Sequence, residues 1–511
     1  MKNINAIRVI ALVLVLLMMC SAVACATPGD SVDTTTAAPS GSDTTAAPSG
    51  GNASDPTGTA EPAETELTPD LPTVSYSDKT IKFLEREIEM GNNIDVYFNE
   101  FYADLSLAEP VSNAVYDRNM AIEDKYGIKI ESIRVKNSEL KNTFTNQADA
   151  GDMVCHVISA NGQTTMSLAV AGYLRDVNSL EYINYENPWW MGMAMETSSI
   201  SGKNAFILGD TNIQAFMAVE GVYFNKQLVK DLGLEDIYTV VRDGRWTIDK
   251  MYEYCEASVA DLDGDNAITD ADRFGFIFNN HSWQPFFYGS GELLIEKDET
   301  DTPKLVLSNE KTFQTLSKVV DFLSDAEVMA CRAWYSYGNM GNYFQSGHGM
   351  FYAQLMYVTL EMRQGELEFG IVPVPKVYDT QDAYYSYVHQ KSSYTSIPKV
   401  NQELEMTGII LEDMAYESYK KIRPAFFDVL LDGKIAKDEE STEMLDYIYE
   451  NVYVCLLQAL ASVGLDADST IRTFITNKTG SSTMASNFKK NEGLWKRTLG
   501  TIANSFDSKL E

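Results

Sequence analysis

The chain has 511 residues, 45% of them apolar, and a formal net charge of −33 at pH 7. That acidic balance works against nucleic acid and anionic lipid surfaces as partners, while the length allows two or three domains' worth of core. The six cysteines include no Cys-x-x-Cys pair, which excludes zinc-finger and thioredoxin-like centres.

The chain opens with a leader. Lys2 and Arg8 make its start basic, residues 9–19 are an unbroken apolar run, and Ser21-Ala22-Val23-Ala24-Cys25 follows. This is the layout of a secretory signal, and the run is shorter than the roughly 20 residues that span a bilayer. A cysteine directly after small residues resembles a lipoprotein signal, although Ala22 stands where leucine is usual. Residues 1–24 are then removed and Cys25 carries the lipid; the alternative is a soluble secreted chain cut near Ala24. Residues 25–76 read as a linker of Thr, Ala, Pro, Ser, Gly and Asp containing a crude repeat, Asp-Thr-Thr…Ala-Ala-Pro-Ser-Gly, at 33–41 and 43–50. Such a composition cannot offset its ordering entropy. About 50 flexible residues reach about 40 Å, enough to hold a domain clear of a membrane.

The folded part begins with a strand at 80–84, a helix at 111–126 (Val115, Met120, Ile122 and Tyr126 on one face) stopped by Gly127, and a strand at 128–133. Strand–helix–strand order predicts a parallel α/β sheet. Further strands are expected at 206–208, 218–224 and 274–278, and helices at 226–232 and 247–260. Later segments at 311–328, 403–419 and 441–463 carry apolar residues at helical spacing; in the last, Leu445, Ile448, Val452, Leu456 and Ala459 form one face. Trp246-Thr247 reads as a structural helix start, the threonine capping while the indole packs. No segment after Met19 is long and apolar enough to cross a membrane. Cys155, Cys255, Cys331 and Cys455 remain after the leader; four cysteines allow three pairings, and free buried thiols fit equally well.

Three stretches resemble, in this order, the extracellular solute-binding proteins of bacterial ABC importers. They are Gly221-Val222-Tyr223-Phe224-Asn225-Lys226-Gln227-Leu228 running on to Trp246-Thr247, Phe344-Gln345-Ser346-Gly347-His348-Gly349-Met350, and Gly370-Ile371-Val372-Pro373-Val374-Pro375. The resemblance covers nearly all of residues 78–511. It implies an α/β, two-lobe periplasmic-binding-protein type II fold with hinge crossings and a helix-rich C-terminal lobe. By this resemblance lobe 1 is 77–214 with 351–398, lobe 2 is 215–350 with 399–511, and the chain crosses near 210–218, 351–357 and 396–401. It also implies a non-enzymatic monomer on the extracellular face of the cell membrane, holding a mono- or oligosaccharide between its lobes and delivering it to permease subunits. A sensor or adhesin with the same fold, and a secreted glycoside-acting enzyme, are the alternatives. The latter has no nucleophile, zinc or phosphate motif behind it, and four histidines supply little imidazole.

For the ligand, the loop after 274–278 offers Asn280, His281 and Trp283, an amide, an imidazole and an indole suited to a polyol's edge and face. Asp210 stands where a hinge-side carboxylate accepts from hydroxyls, and Gln354 and Tyr357 follow the second motif. Trp189, Trp190, Trp334 and Tyr335 are further candidates. One motif owes nothing to the family. Asp261, Asp263 and Asp265 at alternate positions, the carbonyl of Ala267, Thr269 and the carboxylate of Asp272 fit a calcium loop, which needs six to eight hard oxygens. Asn266 stands where glycine normally gives a positive φ, a conformation asparagine tolerates. Calcium there is expected to be structural; an acidic surface turn is the alternative.

Overall fold

In a computed structural model of the chain, the described residues are 67–510 except 88, 90–97, 108, 153–154, 270, 326–328, 332–336, 363–364 and 432–438. The leader, Cys25, the linker as far as residue 66, Trp334 and Tyr335 lie outside them.

Two sheets organise the fold. The first has four strands, in the order Ser393–Ser396, Val157–Asn161, Thr80–Arg86, Lys129–Val135. Thr80–Arg86 runs parallel to both of its neighbours, as the strand–helix–strand reading requires, because parallel neighbours need a crossover. That crossover is the Pro110–Tyr126 helix. Pro110 opens it, the Glu109 carboxylate accepts from Ser112 N, and Gly127 ends it at φ 65°. The helix buries Val111, Val115, Ile122 and Tyr126, and the Leu404–Leu431 helix lies along it. The Tyr126 hydroxyl donates to Asp413 across that contact, at 2.8 Å.

The second sheet has five strands, in the order Phe369–Val372, Glu220–Asn225, Gly349–Leu355, Phe274–Phe278, Met329–Cys331. Every residue of Glu220–Asn225, Phe274–Phe278 and Gly349–Leu355 is buried, which is why these strands read as apolar runs without alternation. Beside them Thr247 Oγ1 accepts from Lys250 N and starts the Ile248–Ser258 helix. Trp246 is buried, its Nε1 donating to Pro373 O at 2.8 Å. The indole thus ties the first family-like motif to the third.

The structure corrects several expectations. Segment 206–208 is no sheet strand; Ile207 makes a single bridge to Thr395. Segment 441–463 is not one helix. The Glu439–Glu450 helix gives way to Val452–Val454, a β-branched and aromatic run that pairs in parallel with Ser386–Val388, and a short Leu456–Ala459 helix follows. The helix expected at 403–419 continues through Pro424 to Leu431. Lobe boundaries change too. Residues 351–372 belong with the second sheet, because Phe351 pairs with both Phe224 and Phe276 and the Gly349–Leu355 strand therefore cannot leave it. The Leu404–Leu431 helix, expected in lobe 2, packs on the first sheet's Pro110–Tyr126 helix. The chain passes from the first sheet to the second through 209–218 and returns through 373–392. Segment 396–401 stays beside the first sheet, with Lys399 N bonded to Tyr173 O and Asn401 Nδ2 to His156 O.

Cys155, Cys255 and Cys455 are free and buried; burial pushes the Cys155 and Cys455 thiols up to about 12. Among the described residues no helix is long and apolar enough to cross a membrane.

Candidate functional site

A cleft of about 360 Å³ lies where strands from both sheets end. Arg86 and Asn161 finish two strands of the first sheet, Asn279 follows Phe274–Phe278, and Gln354 is near the end of Gly349–Leu355. Glu220 opens an antiparallel strand and so reaches the same edge. The return crossing adds His389, Gln390 and Lys391. Carboxyl ends of strands are where open α/β sheets hold ligands, because loops there diverge and leave a crevice.

The lining is mostly polar, and among the described residues that form it none is Phe, Tyr or Trp. Among the described residues, four of its buried polar atoms have no hydrogen-bond partner: Arg86 Nε, Glu220 Oε1, His281 Nδ1 and Gln354 Nε2. Leaving such atoms unpaired costs about 1–3 kcal/mol each, so buried polar groups are normally satisfied. Their neighbours are satisfied. Arg86 donates through Nη2 to Ser393 Oγ at 2.6 Å, Gln354 Oε1 accepts from Leu355 N, Asn161 Nδ2 donates to Asn137 Oδ1, and Asn279 Oδ1 accepts from His281 N. Burial pushes the Glu220 carboxyl up to about 8, so it is a protonated donor at neutral pH. Burial, with Arg472 and Lys391 adding to it, lowers His281 to about 4. Burial likewise holds His389 neutral, its Nδ1 accepting from Lys391 N at 3.1 Å.

Of the sequence candidates, His281 and Gln354 line this cleft. Asn280 turns away and donates to Thr476 Oγ1 at 2.8 Å, leaving its place to Asn279. Trp283 is fully buried, with Nε1 on Asp468 Oδ1 at 3.1 Å, and is a core residue. Asp210 is buried in a two-pronged ion pair with Arg423, both contacts 2.7 Å. Burial pushes its carboxyl up to about 7 against the pull of that guanidinium, and it does not line the cleft. Nor does Tyr357, a buried residue held by its backbone to Met217 O. The indoles of Trp189 and Trp190 both donate to Glu412. Trp190 and Arg423 border a separate cavity of about 550 Å³. Sequence reasoning missed Arg86, Asn161, Glu220, His389 and Lys391. A signal existed for two of them, since Arg86 and Glu220 are charges one residue removed from apolar strand runs, Phe83-Leu84 and Val222-Tyr223-Phe224.

The acidic loop is well defined. Carboxylate oxygens of Asp261, Asp263, Asp265 and Asp272 lie within 4.8 Å of one another. Asn266 takes φ 64°, the role expected of it. Asp261 accepts from Gly264 N and Asn266 N, while Asp272 is buried and accepts from Leu262 N, Thr269 N and Thr269 Oγ1. Thr269, expected as a ligand, thus donates to Asp272, and the loop leads directly into Phe274–Phe278.

The sequence pattern described as bacterial extracellular solute-binding protein matches residues 107–399. No curated protein matches. Among solved structures, a cyclo/maltodextrin-binding protein complexed with maltotetraose is 13% identical, with TM-score 0.54 over 86% of this chain and 100% of its own. An open conformation of a sugar transporter from Rhizobium etli is 13% identical, with TM-score 0.53 over 84% and 99%. The cyclic alpha-maltosyl-1,6-maltose binding protein of Arthrobacter globiformis is 12% identical, with TM-score 0.51 over 85% and 99%. At these identities the likeness is one of fold.

Proposed function

Since the chain belongs to the bacterial extracellular solute-binding proteins, a family that binds and does not catalyse, we propose that it is the lipid-anchored carbohydrate receptor of an ABC importer. Cys25 is the anchor and the Thr/Ala/Pro linker the tether. The observation that carries the ligand class is the cleft itself: unpaired donors and acceptors on its walls, with amides and neutral imidazoles between. A polyol offers both donors and acceptors at close spacing and satisfies such a set, whereas an apolar ligand would leave it unpaired. Several neighbours in fold carry sugar ligands in their names, which favours the same class. Closure of the two sheets around the sugar is the motion that signals loading to the permease. The Asp261–Asp272 loop takes calcium as a staple ahead of Phe274–Phe278, a reading that rests on its ligand spacing.

The test is thermal unfolding of the secreted chain against sugars, polyols and short peptides. Binding to the native state alone raises the midpoint. A rise with carbohydrate alone is the expected result; a rise with peptide alone refutes it. Loss of uptake of that sugar on deleting the gene, restored by the parent chain but not by Cys25→Ser, tests the importer and anchor roles.

A further inference from the structure

We propose that the solute is an acidic sugar, a uronate of one or two rings, whose carboxylate rests on the Nε–H of Arg86. The inference rests on the carbohydrate reading above and narrows it.

Arg86 is the reason. It ends the central strand of the first sheet, is 3% exposed and lines the cleft. The only hydrogen bond its guanidinium makes among the described residues is from Nη2 to an uncharged partner, Ser393 Oγ, and its Nε–H has none. The carboxylates nearest to it are committed elsewhere. Glu85 accepts from the backbone of Glu100 and Phe101 and from Ser132. Glu100 accepts from Ser159 and Gln214 N, and Glu89 from Asn137 N. A guanidinium does not shed its proton in a protein. Buried without a bonded anion, it favours a ligand that brings one, since charge-assisted bonds of this kind are about twice as strong as neutral ones.

The rest of the lining agrees. Lys391 adds a second positive charge to the same walls. Glu220, the one carboxyl among the described lining residues, is protonated at neutral pH, because burial holds it up to about 8. It therefore donates instead of repelling an anion. His281 and His389 are neutral, and Gln354 Nε2 and His281 Nδ1 remain for hydroxyls. No Phe, Tyr or Trp face is present among the described lining residues to stack on a neutral glucose ring. The volume of about 360 Å³ is at the low end of the roughly 300–1,000 Å³ of small-molecule sites, which suits one or two rings.

The experiment is calorimetric titration of the secreted chain at pH 7 with glucuronate, galacturonate and the galacturonate dimer, and with glucose, galactose and maltose as neutral counterparts. A uronate is expected to bind at least about 100-fold tighter than its neutral counterpart, because a sugar lacking the carboxylate leaves Arg86 unpaired. Arg86→Gln is expected to weaken the uronate by about 30-fold or more and to leave the neutral sugar unchanged. Lys391→Gln, a partly exposed position that does not threaten folding, is expected to weaken the uronate and steepen nothing for neutral sugars. Equal affinity for acidic and neutral partners, or an Arg86→Gln protein that melts like the parent and still binds uronate fully, overturns the inference while leaving the carbohydrate reading intact. Should Arg86→Gln not fold, the parent's acidic-to-neutral ratio and Lys391→Gln decide. If no sugar of either kind binds, both readings fall together.

Discussion

Glu220→Gln is expected to stabilise the protein at neutral pH and to change nothing in acid. Glu220 is 5% exposed, its Oε1 has no partner, and burial alone raises its carboxyl from 4.5 to about 8. The unfolded chain loses this proton near 4.5, while the folded chain keeps it to about 8. Between those values folding takes up a proton, so this group's contribution to stability falls as pH rises through the window and stays low above it. At pH 7 the penalty is about 3 kcal/mol, and above pH 8 about 5, at 1.36 kcal/mol per unit. Glutamine has nearly the same shape and no proton to take up. For a folded region of about 440 residues the unfolding entropy is near 0.9 kcal/mol per degree. The variant should therefore melt about 3–4 °C above the parent at pH 7 and at the parent's temperature at pH 4. Differential scanning calorimetry of both proteins from pH 4 to 9 measures this. A difference that does not depend on pH, or a variant less stable at pH 7, would refute the assignment of Glu220 as a buried, protonated acid.

Trp283→Leu should cost about 3–4 kcal/mol in urea unfolding, from the cavity and from the donor lost to Asp468, while ligand affinity stays within about threefold; a large loss of affinity at unchanged stability would restore Trp283 to the site. Chelator should lower the midpoint if calcium occupies the acidic loop, by about 3 °C when the ion had been present at 100 times its dissociation constant. Asp265→Ala should abolish that dependence, and a midpoint indifferent to calcium and chelator in the parent contradicts a bound ion. Asp210→Asn should cost about 2–3 kcal/mol, below the full figure for breaking a buried pair because the Arg423 side chain is 27% exposed. Adding Arg423→Met should recover part of the loss in a double-mutant cycle. Recovery of nothing would show that the two side chains act independently.

The site was only partly legible. His281 and Gln354 line the cleft because the motifs fix where the Phe274–Phe278 and Gly349–Leu355 strands end, and strand ends face the cleft. Trp283 was misread because an indole two residues after His281 suits a sugar as well as it suits a core. Its burial is decided by the Asp468–Thr476 helix, nearly two hundred residues away, whose Asp468 accepts its Nε1–H. Asp210 was misread for the same reason: its partner Arg423 is remote in sequence.

The sequence by itself determined what depends on neighbours along the chain. The caps at Glu109 and Thr247, the Gly127 stop and the left-handed Asn266 all follow from local chemistry. Family membership follows too, since its motifs are short and ordered. Tertiary structure alone decided which sheet residues 351–372 join, that Val452–Val454 extends as a strand, and that Arg86, Glu220, His281 and Gln354 meet around one cleft. Each of those depends on pairing or burial between segments far apart in the chain. The strand run Gly349–Leu355 is equally apolar whichever sheet takes it, and Arg86 and Glu220 share one cleft only because strands of both sheets end there.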